Sequence, residues 1–317
     1  MYRLELVKRN VQEIVTEEEL EKLLNKKEAP HAYVGYEPSG KIHMGHVLTV
    51  NKLIDLQKAG FNVTVLLADV HAYLNRKGTL EEVRKIADYN RRCFVALGLD
   101  AKKTDFVYGS NYQFGAEYML NVLKLSRAVT LNRARRSMDE VGRAMDDPTV
   151  SQMVYPLMQA VDIAMLKVDV AVGGIDQRKI HMLARENLKS IGFKTPVCIH
   201  TPILIGLDGT KMSSSKDNFI SVDDTEEEIY RKFKKAYCKI GDLENNPTLA
   251  ILRYHIFPRY ETVVIERPEK FGGNLIYTSY YEMENDFVAE SVHPMDLKNA
   301  AAKYIDKILE SVRNVLL

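Results

Sequence analysis

The sequence predicts an α/β protein, with a Rossmann-like, doubly wound parallel sheet, a helical insertion and a smaller, mainly helical C-terminal domain. Short apolar runs alternate with helical repeats through the first two thirds of the chain, as βαβ units require. A helical stretch at about 115–167 interrupts this alternation, and charged helical patterns replace it beyond about residue 222. We therefore expect a larger domain over 1–221, which includes the insertion, and a second domain over 222–317.

The first βαβ unit is predicted from three consecutive segments. Residues 32–35 are an apolar run typical of a strand, and a Pro-Ser-Gly turn at 38–40 follows them. Apolar side chains then recur at helical spacing over 47–56, and Gly60 provides a helix stop. The nearly continuous apolar run at 61–68 is rich in β-branched residues, as expected for a parallel strand covered on both faces.

The following elements continue the alternation. Thr79 and Glu82 have the spacing of a capping box, which predicts a helix that runs towards Gly98. Each later apolar run is short enough for a strand of the same parallel sheet. These strands are predicted at 106–108, near 168–172 and at 197–199.

Composition excludes several classes of protein. With 317 residues, 46% hydrophobic and 27% charged, the chain has the composition of a soluble globular protein. A net charge of +1 means that any nucleic-acid surface must be a local patch. The three cysteines are far apart and lack Cys-x-x-Cys spacing, so neither a disulfide framework nor a zinc knuckle is expected. No apolar run reaches the roughly 18 residues of a membrane helix, and we expect a cytoplasmic protein with no membrane contact.

The segment His43-Met44-Gly45-His46 stands where the first predicted helix begins. Ligands of a parallel sheet bind beyond the carboxyl ends of its strands, where a helix N-terminus offers N–H groups and a positive dipole end to phosphate. Gly45 would let a nucleotide lie close to the backbone, and both histidines would donate to phosphate oxygens. Taken alone, the tetrapeptide fits a metal site or a solvated helix start better than a phosphate site.

A second polar segment, Leu-Asp-Gly-Thr-Lys-Met-Ser-Ser-Ser-Lys at 207–216, lies far downstream. Lys211 and Lys216 would hold the charge that builds on leaving pyrophosphate. By itself the segment also fits an ordinary surface loop. Found together and in this order, the two segments indicate one apparatus for handling ATP, and neither of the usual Gly-rich phosphate motifs competes with them.

A polar stripe lies on an otherwise apolar predicted helix. Tyr155, Gln159 and Asp162 are spaced i, i+4 and i+7, which places them within about 60° of one another. A buried unpaired carboxylate is costly, so the stripe must face water, a polar partner or a ligand. Gln177 follows Gly173 and Gly174 where a strand gives way to a helix, again at the ligand edge of the sheet. These residues would line a pocket for a small polar molecule, although a solvated helix face fits the stripe equally well.

With these residues the chain resembles the archaeal-type tyrosyl-tRNA synthetases, which are class I aminoacyl-tRNA synthetases. The resemblance covers nearly all 317 residues. The segments that carry it are 43–46, 211–215, Tyr-Val-Gly-Tyr-Glu-Pro-Ser-Gly at 33–40, Tyr155-Pro156, Val-Gly-Gly at 172–174 and His-Pro-Met-Asp at 293–296.

The resemblance implies a two-step ligation of L-tyrosine to tRNA(Tyr). Tyrosine and ATP give tyrosyl-adenylate and pyrophosphate, and the terminal ribose hydroxyl of the tRNA then takes the tyrosyl group. ATP is a substrate accompanied by Mg²⁺, and neither a covalent nucleophile, a tightly bound cofactor nor a resident metal is expected. The implied catalytic residues are His43, His46, Lys211 and Ser214, and those for ATP are Gly35, Pro38, Ser39, Gly40, His43, Gly45, His46, Lys211, Met212, Ser213, Ser214 and Ser215.

The resemblance also implies how tyrosine is selected. Tyr33 and Asp162 match the residues that hold the phenol, so phenylalanine would leave both buried groups without a partner, and no editing domain is expected. The residues implied for the rest of the substrate are Tyr155, Gln159 and Gln177 at the amino group and Glu37 near the reacting ends.

The RNA contacts implied by the resemblance are at two places. A local excess of positive charge that includes Arg133 and Arg135 suits acceptor-stem phosphates, although such a run also fits a solvated face. The C-terminal domain would read the first anticodon base by stacking and hydrogen bonds, and the helical insertion would form a homodimer. The implied tRNA-binding residues are Arg136, Arg178, Lys179, Phe271, His293 and Asp296.

Two departures and three alternatives accompany this hypothesis. Ser214 stands where the wider class often has lysine, so Lys211 and Lys216 would carry more of the charge, and Met44 replaces a more usual aliphatic residue. The alternatives are another specificity on the same fold, such as tryptophan, a small-molecule adenylyltransferase, and an inactive relative that only binds RNA. The phenol-binding pair argues against tryptophan, and the anticodon-reading domain argues against a small-molecule adenylyltransferase. The intact signature segments and pocket residues argue against an inactive relative.

Overall fold

The computed structural model describes residues 2–141, 146–210, 212 and 217–316. The chain divides into two compact units, the first formed by Met1–Gly40 with Lys52–Ile203 and the second by Lys41–Asn51 with Leu204–Leu317. Residue 222 is the predicted start of an anticodon-binding domain, and this boundary remains a prediction.

The first unit contains a six-stranded sheet. Its strands are β1 (Glu13–Val15), β2 (His31–Tyr36), β3 (Asn62–Leu67), β4 (Thr104–Tyr108), β5 (Val170–Gly174) and β6 (Val197–Thr201). The spatial order is β1-β6-β5-β2-β3-β4, and every neighbouring pair is parallel except β1 with β6. The chain therefore winds outwards in both directions from β2, which confirms the predicted doubly wound sheet and places a topological switch point between β2 and β5.

Helices flank these strands along the chain. Thr79 caps one of them as predicted, since its Oγ1 accepts from Glu82 N at 3.2 Å while Glu82 Oε2 accepts from Thr79 N at 2.8 Å. The helices are α1 (Tyr2–Lys8), α2 (Glu17–Lys26), α3 (Met44–Lys58), whose residues the two units share, α4 (Asp69–Leu74), α5 (Leu80–Ala96), α6 (Ala116–Ser126), α7 (Leu131–Ser137), α8 (Val150–Met165) and α9 (Arg178–Asn187).

The core of the first unit joins the sheet to the predicted helical insertion. Tyr33 from β2 and Leu66 from β3 belong to one buried apolar cluster with Tyr118 of α6, Leu157 of α8 and Leu183 of α9. The apolar positions that recur along α8 supply one side of this cluster, which is why its polar stripe faces the carboxyl edge of the sheet.

The second unit is mainly helical, as predicted, with one small hairpin that the sequence did not indicate. None of the helices in the described parts of the chain is both long enough and apolar enough to cross a membrane. All three cysteines are buried, and none of them forms a disulfide bond in the described parts of the chain. The elements of this unit are α10 (Glu226–Lys235), α11 (Pro247–Ile251), β7 (Val263–Ile265), β8 (Leu275–Tyr277), α12 (Tyr280–Val288) and α13 (Pro294–Leu316).

Candidate active site

A cavity of about 240 Å³ opens at the carboxyl edge of the sheet, within the first unit. It lies at the switch point between β2 and β5, where a doubly wound fold places its ligand. β2, the polar stripe of α8 and the turn after β5 each contribute to its wall. All six residues predicted to bind the small substrate line this cavity, namely Tyr33, Glu37, Tyr155, Gln159, Asp162 and Gln177, and Gly35 lines it with them.

Asp162 is fully buried and lines the cavity, and its two carboxylate oxygens differ. Oδ1 accepts from Tyr112 Oη at 2.6 Å, from Gln113 Nε2 at 2.8 Å and from Tyr118 Oη at 2.8 Å. Oδ2 has no hydrogen-bond partner among the described residues, and His71 Nε2 lies 3.5 Å from it. Burial raises the pKa of this carboxyl, while His71 and the three donors act in the opposite direction. A buried oxygen without a partner is costly, so Oδ2 is arranged to accept a hydrogen bond from a ligand.

Tyr33 supplies the complementary group. Its side chain is 1% exposed, and burial, with the nearby charge of Asp162, raises the pKa of its phenol well above the usual value. The phenol therefore stays protonated and offers an O–H donor. A ligand hydroxyl can donate to Asp162 and accept from Tyr33 at once, whereas an indole N–H can only donate. The pair thus fits a phenol better than an indole.

Gly35 is required by the position of the Tyr33 side chain. A Cβ atom at residue 35 would lie 2.7 Å from Tyr33 Oη and 3.4 Å from its Cζ. Real Cβ atoms do not approach oxygen so closely, and the phenol would have to move. Glycine at residue 35 therefore leaves room for the ring of Tyr33, which lines the cavity.

A second group of polar residues in the cavity lining includes Glu37, Gln159 and Gln177. Glu37 accepts from Tyr155 Oη at 3.1 Å and from Asn75 Nδ2 at 3.1 and 3.3 Å, and Lys77 Nζ lies 3.3 Å from it. Gln159 Nε2 donates to Gln177 Oε1 at 3.2 Å, and Gln177 Nε2 donates to Asp176 Oδ2 at 3.4 Å. Amide and carboxylate oxygens of this kind bind an ammonium group. A ligand that carries both a phenol and an ammonium group therefore matches the residues that line the cavity.

Sequence reasoning missed the residues that support this cavity. His71 and Asp176 lie three and four residues after the ends of predicted strands, at 68 and 172, so a search of the segments that follow strands would have found them. Nothing local distinguishes the other members of the set, because they reach the cavity from distant parts of the chain. These missed residues are Asn75, Lys77, Tyr112, Gln113 and Tyr118.

The His-x-Gly-His segment belongs to the second unit. Backbone hydrogen bonds join it to residues 220–222, which follow the downstream motif in the chain. His43 and Ser221 form an antiparallel bridge, Met44 N donates to Ile220 O at 3.1 Å, and Val222 N donates to Ile42 O at 2.9 Å. The structure thus brings the first motif against residues that follow the second one in the chain. This arrangement supports one common apparatus.

Backbone hydrogen bonds fix the tautomers of both histidines. His43 Nδ1 accepts from Gly45 N, and His46 Nδ1 accepts from His43 N, each at 3.2 Å. Burial lowers the pKa of His43 to about 4, and burial with the neighbouring ring lowers that of His46 to about 3, so both rings are neutral at pH 7. A neutral ring that accepts at Nδ1 carries its proton on Nε2. Each histidine is therefore a neutral Nε2–H donor.

Gly45 is needed for the same arrangement. A Cβ at this position would lie 2.9 Å from His43 Cε1 and 3.9 Å from Met212 Sδ. The glycine therefore lets the imidazole fold back on its own helix start, and Met212, predicted for ATP, packs on the same side.

The described residues hold no group of three or more His, Cys, Asp or Glu side chains that could hold a metal ion.

The downstream motif is described at its two ends. Asp208 Oδ1 accepts from Thr210 N at 3.0 Å and from Asn218 Nδ2 at 2.8 Å, and Leu207 N donates to Asn218 O at 2.7 Å. The base of the loop is therefore held by these bonds across residues 207–218. The predicted ATP-binding residues Lys211, Ser213, Ser214 and Ser215, and the neighbouring Lys216, lie outside the described residues.

The remaining predicted ATP residues follow β2 in the first unit. Pro38 is buried, whereas Ser39 and Gly40 are exposed, and Gly40 has φ +144°. That dihedral lies in the region that favours glycine, so the turn depends on residue 40. The contact of these three residues with ATP stays a prediction.

The residues predicted for RNA are at the surface, and two of them are paired with acids. Arg136 is exposed, Arg178 Nε donates to both carboxylate oxygens of Glu13 at 2.8 and 2.9 Å, and Lys179 lies 3.2 Å from both Asp139 and Glu140. RNA phosphates would have to compete with these carboxylates. In the second unit, Phe271 and His293 are exposed and Asp296 is half-buried in the first turn of α13.

Comparison with known proteins points to one family. Residues 25–310 match the model of the class I tRNA synthetases for tryptophan and tyrosine. The chain is 86% identical to a tyrosine–tRNA ligase of Methanosarcina barkeri, with 100% of both chains covered. It resembles the crystal structure of a tyrosyl-tRNA synthetase complexed with L-tyrosine from Archaeoglobus fulgidus, with TM-score 0.98, 61% identity and 99% of each chain covered. A tyrosyl-tRNA synthetase from Aeropyrum pernix gives TM-score 0.90 at 38% identity, covering 99% of this chain and 94% of that one.

Proposed function

This chain belongs to the class I tRNA synthetases for tryptophan and tyrosine, and on that premise we propose which of its residues perform tyrosine–tRNA ligation. The chain is an enzyme that ligates tyrosine to tRNA, with ATP as its other substrate. We assign the cavity of the first unit to L-tyrosine. The observation that carries this assignment is Asp162 Oδ2, a buried oxygen that has no hydrogen-bond partner among the described residues and whose residue lines a cavity together with the protonated phenol of Tyr33.

The proposed chemistry relies on positioning and electrostatics. A carboxylate oxygen of tyrosine attacks the α-phosphorus of ATP, the bond to the β-phosphate oxygen breaks, and pyrophosphate leaves with its electron pair. A ribose hydroxyl at the tRNA 3′ end then attacks the tyrosyl carbonyl, and AMP leaves. Mg²⁺ enters with ATP as part of that substrate. His43 and His46 donate Nε2–H to phosphate oxygens, and the second motif, with Lys211 and Ser214, acts on the same charge.

Amino-acid specificity follows from two groups of residues in the cavity lining. Tyr33 and Asp162 pair with the phenol, and Tyr155, Gln159 and Gln177 surround the ammonium, with Glu37 towards the reacting carboxylate. Phenylalanine would leave the buried carboxylate oxygen unpaired, and such a loss discriminates more strongly than a difference in size.

Pyrophosphate exchange into ATP tests this assignment without tRNA. We expect exchange with L-tyrosine alone when each of the twenty amino acids is supplied in turn. Exchange that depends on tryptophan would mean that the cavity selects tryptophan and not tyrosine. A lack of exchange with any amino acid would refute the proposed activation step.

Gly35→Ala tests the packing of Tyr33. The added Cβ would displace the phenol, and we expect the KM for tyrosine in pyrophosphate exchange to rise by about 10-fold or more, because small displacements in a binding site are costly. In a Tyr33→Phe background the clash with the hydroxyl is absent, so the same alanine should add little. Equal effects in both backgrounds would contradict the proposed contact.

We also propose a homodimer through the helical insertion. Phe114, Leu120, Leu123 and Leu131 are between 52% and 69% exposed, although they are large and apolar. Such a concentration of apolar side chains around one helix, α6, is typical of an interface.

Substitution in α6 tests the dimer. Leu120→Asp with Leu123→Asp would place charges in the interface, and we expect the dissociation constant to rise by about 100-fold or more, as for the loss of central contacts. Light scattering across a concentration series measures it. Val95→Asp on α5, a residue that is 39% exposed, is the matched control. A wild-type chain that is monomeric at all concentrations, or a double variant that stays dimeric, would contradict the proposal.

For tRNA we propose two contacts. The acceptor stem would lie on Arg136, Arg178 and Lys179, and the first anticodon base would stack on Phe271 and meet Asp296, with His293 beside it. Phe271 suits this role because its ring is 62% exposed.

We also propose that the protein is located in the cytoplasm.

A further inference from the structure

Phe271 stands at the tip of the β7–β8 hairpin, in a turn that is tightly closed. Phe271 N donates to Pro268 O and Gly272 N donates to Glu269 O, both at 2.9 Å. Gly272 and Gly273 have φ +94° and +72°, which only glycine adopts without strain. The turn is therefore closed by its own backbone hydrogen bonds and depends on these two glycines.

Arg267 connects this tip to the chain that begins α13. Its Nε donates to Gly273 O at 2.7 Å, and its Nη1 donates to Ser291 O at 3.1 Å. Its Nη2 lies against Gly272, where a Cβ would be 3.3 Å away. Ser291 directly precedes Val292 and His293, so one guanidinium spans both segments that carry the proposed anticodon contacts.

The base of the hairpin is attached to α13 by other groups. Val264 N donates to Tyr304 Oη at 2.9 Å, and Glu266 forms an ion pair with Lys303. Removal of the Arg267 side chain would therefore leave the base of the hairpin attached to α13 and break the link between its tip and Ser291.

We propose that Arg267 is a positioning residue for anticodon reading, because it sets the distance between Phe271 and the segment 293–296. The inference rests on the proposed role of Phe271 and Asp296. Arginine suits the task because its planar fork can donate in two fixed directions to carbonyl oxygens of different segments. Lysine would keep the charge but not this geometry.

The test is the ratio of kcat/KM values in aminoacylation for a tRNA(Tyr) transcript and a transcript with a different first anticodon base. We expect Arg267→Lys and Arg267→Gln each to lower this ratio by about 10-fold, comparable to the loss of one base stack, through a higher KM for the cognate tRNA. Tyrosine-dependent pyrophosphate exchange without tRNA should be unchanged. Lys303→Gln, which removes a charge at the base of the same hairpin, should leave the ratio unchanged.

Phe271→Ala, measured alongside, separates the possible failures. If it lowers the ratio while both Arg267 variants keep it, the positioning role is refuted. The same holds if Arg267→Lys retains the ratio and Arg267→Gln loses it, because charge alone would then suffice. If Phe271→Ala leaves the ratio unchanged, the anticodon assignment fails and the role of Arg267 fails with it, whereas tyrosine activation stands on the exchange assay.

Discussion

Asp162→Asn is expected to lower kcat/KM for tyrosine in pyrophosphate exchange by about 100-fold, because it removes a hydrogen bond to a charged acceptor. In the wild-type protein Oδ1 accepts from Tyr112, Gln113 and Tyr118, and Oδ2 has no partner in the parts of the chain that the structure describes. An asparagine has one carbonyl oxygen, and three donors already occupy that position. Its amide nitrogen must then replace Oδ2, so that a donor faces the hydroxyl of the substrate.

The same substitution should not destabilise the protein. Burial raises the pKa of Asp162, so the folded state disfavours its charge, and a neutral isostere relieves part of that cost. We expect an unchanged or higher melting temperature together with lower activity. Such opposite changes separate loss of binding from loss of folding.

The discrimination against phenylalanine provides the sharper measurement. Phenylalanine offers Oδ2 no donor, so its kcat/KM should change much less than that of tyrosine, and the ratio of the two should fall. Tyr112→Phe is a control that removes one donor from Oδ1 and leaves Oδ2 in place, and we expect a smaller change in the ratio. If the tyrosine-to-phenylalanine ratio of Asp162→Asn equalled that of the wild type, the phenol would have to bind elsewhere.

The sequence predicts those parts of the site whose residues are close together along the chain, and it misses those that are far apart. The stripe of Tyr155, Gln159 and Asp162 was predicted because three residues on one helix share a face by geometry alone, and all three line the cavity. Tyr112 and Tyr118 donate to the same carboxylate from 44 to 50 residues away. The contact of Tyr118 depends on the packing of α6 against α8, that of Tyr112 depends on the turn before α6, and no local periodicity predicts either.

The fold shows the same limit. The parallel strands were predicted because each is a run of apolar residues bounded by a turn signal. β1 has three residues and alternates too briefly to be recognised, although it adds the antiparallel edge and carries Glu13, which holds Arg178. The hairpin of β7 and β8 was missed for the same reason, since each strand has three residues.

Replacement of His46 by its two amide isosteres is the second decisive test. The side-chain nitrogen of glutamine reaches about as far as Nε2 of histidine, and that of asparagine only about as far as Nδ1. His46→Asn should lower kcat for pyrophosphate exchange by about 100-fold or more, as for the loss of one preorganised donor to a developing charge. His46→Gln keeps a donor at the required reach, and its loss should be several times smaller.

The pH dependence identifies the protonation state that acts. With pKa values lowered by burial to about 4 for His43 and about 3 for His46, both rings stay neutral from pH 6 to 9. A neutral Nε2–H donor gives no loss of kcat as the pH rises through this window. An imidazolium would give one, because its contribution disappears as the pH passes a pKa near 6.5. Equal kcat values for the Asn and Gln variants, or a wild-type kcat that falls through pH 6.5 and becomes flat in His46→Gln, would show that charge and not a fixed N–H stabilises the leaving phosphate.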